Sequence, residues 1–178
     1  MDIVKKNIFE SGRLRLRPFL ESDINQRYID WLNDPEVVRY SNQRFSTHSI
    51  ASSQGYLQSF IGTNNLFLAI EEKFGGNIVG TLTIYNNSNH QTADVGIMVG
   101  DKTVWGYGYG KEAFLTVVDV LLNTYGVRKV TAGTLSSNVA MVKIMIGAGL
   151  TLEATRKSQE LLDGHPVDVV YYARFRDA

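Results

Sequence analysis

The chain has 178 residues and no cysteine, and its 18 basic side chains balance 18 acidic ones. That length suits a single domain over 1–178 with a sizeable core, and the missing cysteines exclude disulfides, thiolate metal sites and an acyl-cysteine intermediate. A neutral chain that is 44% hydrophobic and 20% charged is globular in composition, with no support for nucleic-acid or membrane-surface binding.

In chain order, residues 13–17 alternate arginine with leucine, the period of a strand with one buried face. Ser22 or Asp23 is placed to cap a helix whose Ile24, Tyr28, Trp31 and Leu32 share a side. Asp34-Pro35 ends it, and Pro35 suits the first position of a short helix over 36–40. Ser46-Thr47 opens a third helix carrying Ile50, Leu57, Phe60 and Ile61. Strands over 66–72 and 78–85 then flank the turn Phe74-Gly75-Gly76-Asn77. A polar loop over 86–91 contains His90 and leads into a strand over 94–99. An amphipathic helix follows, with Phe114, Val117, Val118, Leu121, Leu122 and Tyr125 on one face and Gly126 at its end. Residues 127–134 read as a strand and 138–148 as a last helix, before a hairpin of 150–162 and 166–175 around Asp163-Gly164. The expected fold is α/β, one domain with a mixed, mainly antiparallel sheet flanked by helices.

The opening Met1-Asp2-Ile3-Val4-Lys5-Lys6 lacks the apolar stretch of a secretion signal. No apolar run approaches the roughly 18–20 residues needed to span a bilayer, so a cytoplasmic protein is expected. His48, His90 and His165 have no metal-ligand spacing, and no metal is expected.

The most informative stretch is Trp105-Gly106-Tyr107-Gly108-Tyr109-Gly110-Lys111-Glu112-Ala113, between the strand over 94–99 and the amphipathic helix. Alternate glycines let a backbone bend and bring its N–H groups against a ligand. A helix N-terminus adds unpaired donors and partial positive charge, which together make an anion cradle. A P-loop does not fit, because three residues rather than four separate Gly106 from Gly110 and Glu112 follows Lys111 where a hydroxyl is needed. A dinucleotide fingerprint can be forced onto Gly108, Gly110 and Ala113. Yet residues 101–105 separate the loop from its strand, and no acidic residue closes the strand over 127–134. A coenzyme A pyrophosphate loop fits best.

Here the chain resembles the GNAT superfamily of N-acetyltransferases, whose signature is Gln/Arg-x-x-Gly-x-Gly/Ala. Its Trp-Gly-x-Gly-Tyr-Gly-x-Glu-Ala variant resembles the branch of ribosomal-protein N-terminal acetyltransferases, with Trp105 in place of Gln or Arg. The likeness extends to Ser137-Asn138, Gly149-Leu150 and the opening Arg13-Leu14-Arg15-Leu16-Arg17-Pro18. It implies acetyl-coenzyme A as cosubstrate, with a pyrophosphate on the loop Trp105, Gly106, Tyr107, Gly108, Tyr109, Gly110, Lys111. It also implies pantetheine pairing along Met98, Val99 and Gly100, and a cofactor contact from Asn138, which equally suits an ordinary helix cap. Lys102 and Lys111 are additional cations near the pyrophosphate.

Acetyl transfer to a protonated amine needs a base. Asp94, at the start of the cofactor strand, is the first candidate and His90 the second. The carbonyl oxygen needs donors, for which the N–H of Val99 or Gly100 is placed. Many family members carry a Tyr acid where this chain has Met145, and the ribosomal-protein branch a Ser near Met141, so no acid is assigned. Trp31, Arg39 and Tyr40 are the expected acceptor contacts. The acceptor is expected to be a primary amine, such as a protein N-terminus. A Trp-Leu-Asn-Asp-Pro-Glu-Val run at 31–37, with Arg39 and Arg44, instead resembles enzymes of amino-sugar nucleotides. A non-catalytic acyl-coenzyme A-binding regulatory domain is the alternative of another class. A monomer or homodimer fits either.

Overall fold

A computed structural model describes residues 8–177. The N-terminal stretch read for a leader, residues 1–6, lies outside them. The elements run β1 (Phe9–Glu10), β2 (Leu14–Pro18), α1 (Gln26–Asn33), α2 (Ile50–Gln58), β3 (Leu66–Glu72), β4 (Ile78–Asn87), β5 (Thr92–Val99), α3 (Tyr109–Asn123), β6 (Lys129–Leu135), α4 (Val139–Gly147), β7 (Thr151–Leu162) and β8 (His165–Phe175). They form one eight-stranded sheet in the order β1-β2-β3-β4-β5-β6-β8-β7. Every pairing is antiparallel except β5 with β6, which is the mixed, mainly antiparallel sheet expected.

Two apolar layers cover the sheet. On one face, Phe114, Val117, Val118, Leu121 and Leu122 of α3 pack with Met145 of α4 against Leu68, Ile70, Leu82, Val95 and Val130. On the other, Tyr28, Trp31 and Leu32 of α1 meet Phe67 and Ala69, with Leu57 of α2 and Met98 alongside. β3 is buried on both sides, since Leu66, Leu68 and Ile70 face α3 while Phe67 and Ala69 face α1. Strand alternation therefore places odd and even residues of β5 on opposite faces: Ala93 and Val95 toward α3, Met98 toward α1.

Helix starts in the first third differ from the sequence reading. α1 is capped by Asn25, whose side chain accepts from Tyr28 N at 3.1 Å, not by Ser22 or Asp23. Asp23 is turned back by the Arg17 guanidinium, which donates to its two oxygens at 2.7 and 3.0 Å, and by Leu20 N at 2.7 Å. α2 begins after Ser49 rather than at Ser46-Thr47. Asn33 binds the backbone of His48 through both N–H and C=O, which holds that segment extended until the Ser49–Ser52 capping box takes over. Residues 36–40 form turns, not a helix.

The Arg17 network is the main buried electrostatic feature, because Arg17 also donates to Glu71 at 2.7 Å and its pKa is raised, first by the Asp23 hydrogen bonds. Removing Asp23 takes two hydrogen bonds from the guanidinium and the acceptor from Leu20 N, leaving Glu71 as Arg17's remaining carboxylate partner. Asp23→Ala is therefore expected to lower stability by about 3 kcal/mol in urea unfolding, whereas a change below about 0.5 kcal/mol would mean that water solvates Arg17 freely.

Candidate active site

β5 and β6 pair only at Thr92, Ala93 and Asp94. Beyond Asp94 the two strands separate, so that 95–99 of β5 and 132–135 of β6 line an open wedge with Asp94 near its apex.

Which backbone groups enter the wedge follows from one hydrogen bond. Gly100 N donates to Val79 O on β4 at 3.0 Å. Peptide planarity then turns Val99 C=O the opposite way, into the wedge. The register sets Thr81 opposite Met98, so by ladder alternation Met98 turns its polar groups to β4, while Val99 and Ile97 turn theirs outward. Of the three residues expected to pair with the cofactor arm, Val99 faces the wedge and Met98 and Gly100 face β4. Gly100 N–H is likewise engaged and is not an oxyanion donor. Val99 N–H is the donor aimed into the gap, and Ile97, which the motif reading passed over, joins it.

Trp105 completes this edge. Its indole N–H donates to Val99 O at 2.9 Å, so the carbonyl is satisfied and the N–H is left to a ligand. Gly106 and Gly108 take φ of 83° and 80°, left-handed values that favour glycine. Gly108 is the N-cap of α3 and supplies no side-chain cap, so the first N–H groups of the helix, from Tyr109, Gly110 and Lys111, have no intrahelical partner. A Cβ on Gly110 would lie 3.2 Å from Val99 Cγ2 and 3.4 Å from Ile144 Cδ1, which shows how closely the helix start packs on the end of β5. Side chains leave the cradle clear: Tyr109 OH donates to Glu72 at 2.9 Å and the Tyr107 ring lies in solvent. Unpaired amides beside a bare wedge edge match a pyrophosphate followed by a pantetheine arm.

Elements from α1 hold the strand–loop junction. Trp31 is 9% exposed and lies against Gly100, where a Cβ would meet the indole at 2.2 Å. It thus packs beneath the junction, with little of its surface left open. Arg27 pairs with Asp101. Lys102 binds Asp34 at 2.6 Å and Glu36 at 3.1 Å, which raises its pKa and removes it as a free cation for phosphate. Lys111 is exposed, its stem running along Gly147.

On the α1 side of the wedge lies a cleft of about 230 Å³ lined by Tyr40, Asn42, Asp94, Thr134, Glu160 and Tyr171 among others. Asp94 sits on its floor between Tyr85 of β4 and Thr131 of β6, both in register with it. Thr131 Oγ1 donates to Asp94 Oδ2 at 2.6 Å. Water reaches the carboxylate, yet the surrounding walls strip much of its solvation and raise its pKa, opposed by the Thr131 hydrogen bond. A raised carboxylate beside the reacting amine is better matched to general-base work than an ordinary Asp.

His90 is not part of this arrangement. It lies on the β4–β5 turn, exposed, with its backbone N–H on Asn87 Oδ1 at 3.2 Å, at the end of β5 away from the loop. Asn138 is an N-cap, accepting from Met141 N at 3.2 Å and donating to Thr134 at 3.1 Å. Arg39 pairs with Asp163 on the β7–β8 turn at 2.7 Å. Arg44 donates to Ser41 O and Leu161 O, so both arginines clip the 39–45 segment to the terminal hairpin. Met145 is wholly buried in the core and Met141 packs against it, so neither helix position carries an acid. The cleft residues that sequence reasoning missed, Asn42, Glu160 and Tyr171, come from a short 3-10 turn and the hairpin, where no local motif marks them.

A family model for an acetyltransferase (GNAT) domain matches residues 13–151. The chain belongs to the acetyltransferase (GNAT) family. It is therefore an acetyl-coenzyme A-dependent N-acetyltransferase, the class that the loop and wedge already indicated. Among solved structures it is similar to spermidine N-acetyltransferase from Vibrio cholerae in complex with CoA and spermine, at 16% identity and TM-score 0.83, covering 93% of this chain and 97% of that one. It is similar to ribosomal-protein-S5-alanine acetyltransferase from Vibrio fischeri at 16% identity and TM-score 0.81, covering 97% and 98%. A ribosomal L7/L12 alpha-N-protein acetyltransferase in complex with coenzyme A gives 19% identity and TM-score 0.82, covering 96% and 99%. At these identities the likeness is one of fold. No curated protein matches the sequence.

Proposed function

We propose that this acetyltransferase acts on a cationic primary amine, such as a protein N-terminus, by direct transfer in a ternary complex. The observation that carries the reading is the cleft's charge. Two carboxylates, Asp94 and Glu160, line it, and no lysine or arginine is among its described lining residues. Of the cations around it, Arg44 lies 3.8 Å from Glu160 and donates to Ser41 O and Leu161 O, and Arg156 lies over the Tyr171 ring, 5.1 Å from its centre. Carboxylates on the lining itself favour an ammonium group over a phosphate.

The donor supplies an acyl thioester, and the residues around it do the rest. The amides at the start of α3 hold the pyrophosphate, and the exposed edge of β5 aligns the arm. Val99 N–H stabilises negative charge building on the carbonyl oxygen. Asp94 accepts the proton that the ammonium must lose before it attacks. The thiolate, intrinsically near pKa ~8.5, leaves with little help, which suits a site where Met145 replaces an acid. With no cysteine in the chain, nothing here forms an acyl-thioester enzyme.

The named neighbours support an amine acceptor of this kind, being a spermidine and two ribosomal-protein acetyltransferases. The experiment is to offer N-terminal peptides, polyamines and amino-sugar nucleotides in parallel while following thiol release. Peptide or polyamine turnover is expected, and Arg39→Ala should change it by less than about twofold, the scale of an exposed ion pair. Turnover of the nucleotide alone, with a loss of tenfold or more in Arg39→Ala, would favour the amino-sugar reading instead. Thiol release with none of them would favour a binding domain that has lost catalysis.

A further inference from the structure

One side chain outside both the loop and the cleft touches the cofactor cradle from beneath. Arg13, the residue before β2, donates from Nη1 to Tyr107 O at 3.0 Å. Its Nε donates to Glu112 Oε2 at 2.6 Å, and its backbone N–H to Glu112 Oε1 at 2.8 Å. Ser11 Oγ adds a donor to Glu112 Oε1 at 2.7 Å. The guanidinium also lies over the Tyr109 ring, 4.4 Å from its centre. Burial pushes the Glu112 pKa up, but the hydrogen bonds from Ser11 and Arg13 outweigh it and hold the carboxyl below its ordinary value, ionised at neutral pH.

The consequence lies in the peptide between Tyr107 and Gly108. With Tyr107 C=O held by Arg13, planarity turns Gly108 N–H to the opposite side, away from β2. Gly108 C=O is meanwhile fixed along the helix by Glu112 N at 3.0 Å. The loop's two orientations, N–H outward or C=O outward, differ by one peptide rotation that two consecutive glycine-flanked residues would otherwise permit. Arg13 and Glu112 select one of them.

We propose that Arg13, braced by Glu112, is a positioning residue that pre-sets the Gly108 amide toward the coenzyme A pyrophosphate. The assignment rests on the loop being the pyrophosphate cradle. Pre-setting acts by lowering the ordering cost of binding, so its effect belongs to donor affinity and not to the chemical step.

Calorimetric titration of coenzyme A into wild type, Arg13→Gln and Glu112→Gln tests it, paired with kinetics on acetyl-coenzyme A and on S-acetyl-pantetheine, which lacks the pyrophosphate. Arg13→Gln should weaken coenzyme A about tenfold, the scale of one charge-assisted hydrogen bond. The loss should appear in the KM for acetyl-coenzyme A more than in kcat. S-acetyl-pantetheine should be used as well by the variant as by wild type. Glu112→Gln should lose less, and the double variant should be no worse than Arg13→Gln alone. Arg13 is 48% exposed, so its loss leaves the core intact. An unchanged coenzyme A affinity in Arg13→Gln overturns the assignment alone, as does an equal loss with S-acetyl-pantetheine, which would make Arg13 merely structural. Wild type that fails to bind coenzyme A overturns the cradle and the assignment together.

Discussion

Gly108→Val is expected to weaken coenzyme A about a hundredfold, with the melting temperature nearly unchanged. The residue sits at φ 80°, ψ 10°, where a β-branched side chain pays about 1–2 kcal/mol. The loop is at the surface and can relieve that strain by rotating its peptides, so the fold is spared. Rotation, however, swings the Gly108 and Tyr109 amides off the phosphate. Each charge-assisted hydrogen bond lost is worth about 1.5–3 kcal/mol, and two of them account for the hundredfold. A Cβ at this position makes only ordinary contact with Arg13 Nη2, at 3.7 Å, so the backbone conformation and not a clash sets the loss. Gly108→Asn is the informative companion, because asparagine tolerates left-handed backbone. It should keep affinity within about fivefold, leaving conformation rather than bulk as the cause. Calorimetry with coenzyme A reads both. Wild-type affinity in Gly108→Val would place the pyrophosphate elsewhere.

This loop was legible in the sequence because its information is local. Alternate glycines encode positive φ at Gly106 and Gly108, and the period of Phe114 to Leu122 encodes the helix they open. Asp94 was legible for a related reason, standing on the strand that must precede such a loop. What decides its role was not. The wedge arises because β5 and β6 stay paired only through Asp94, and no residue type marks where a parallel pair parts. Strand periodicity located 94–99 but not which amides turn inward, since that depends on the Gly100–Val79 bond across the sheet. The cations were hard to place for another physical reason: long cations read as free in a sequence, yet Arg39, Arg44 and Lys102 all find partners distant in the chain. Glu160 was hidden by an irregularity. β7 shifts register between Arg156 and Glu160, with Ser158 at φ 47° and its N–H held by Asp168 at 2.8 Å. An alternation count carried across such a bulge assigns the residues after it to the wrong face.

Asp94→Asn is expected to lower kcat about 10²–10⁴-fold, the usual share of a general base, while making the protein more stable at neutral pH. The two effects share one cause. Loss of solvation in the cleft raises the carboxyl's pKa above its ordinary 3.8, with the Thr131 hydrogen bond opposing. For a folded pKa above the unfolded one, the group's stabilising contribution is present in full below the unfolded value and is lost as pH rises through the folded value. At pH 7 wild type therefore holds an ionised, poorly solvated carboxylate, and a neutral amide removes that penalty while Thr131 can still donate to it. Thermal unfolding should show the variant ahead at pH 7, with its advantage shrinking toward pH 4. Activity runs the other way. An α-amino acceptor with a pKa of about 8 is mostly protonated at pH 6, so the missing base hurts most there. As pH approaches 9 the amine deprotonates unaided and the gap between wild type and variant should narrow. Thr131→Val checks the link, because it removes the one hydrogen bond that lowers the Asp94 pKa and should move the acidic limb of the rate profile to higher pH. If Asp94→Asn retained wild-type rates from pH 6 to 9, the carboxylate would belong to the floor of the cleft and not to the reaction, and the base would have to be sought across the cleft at Glu160.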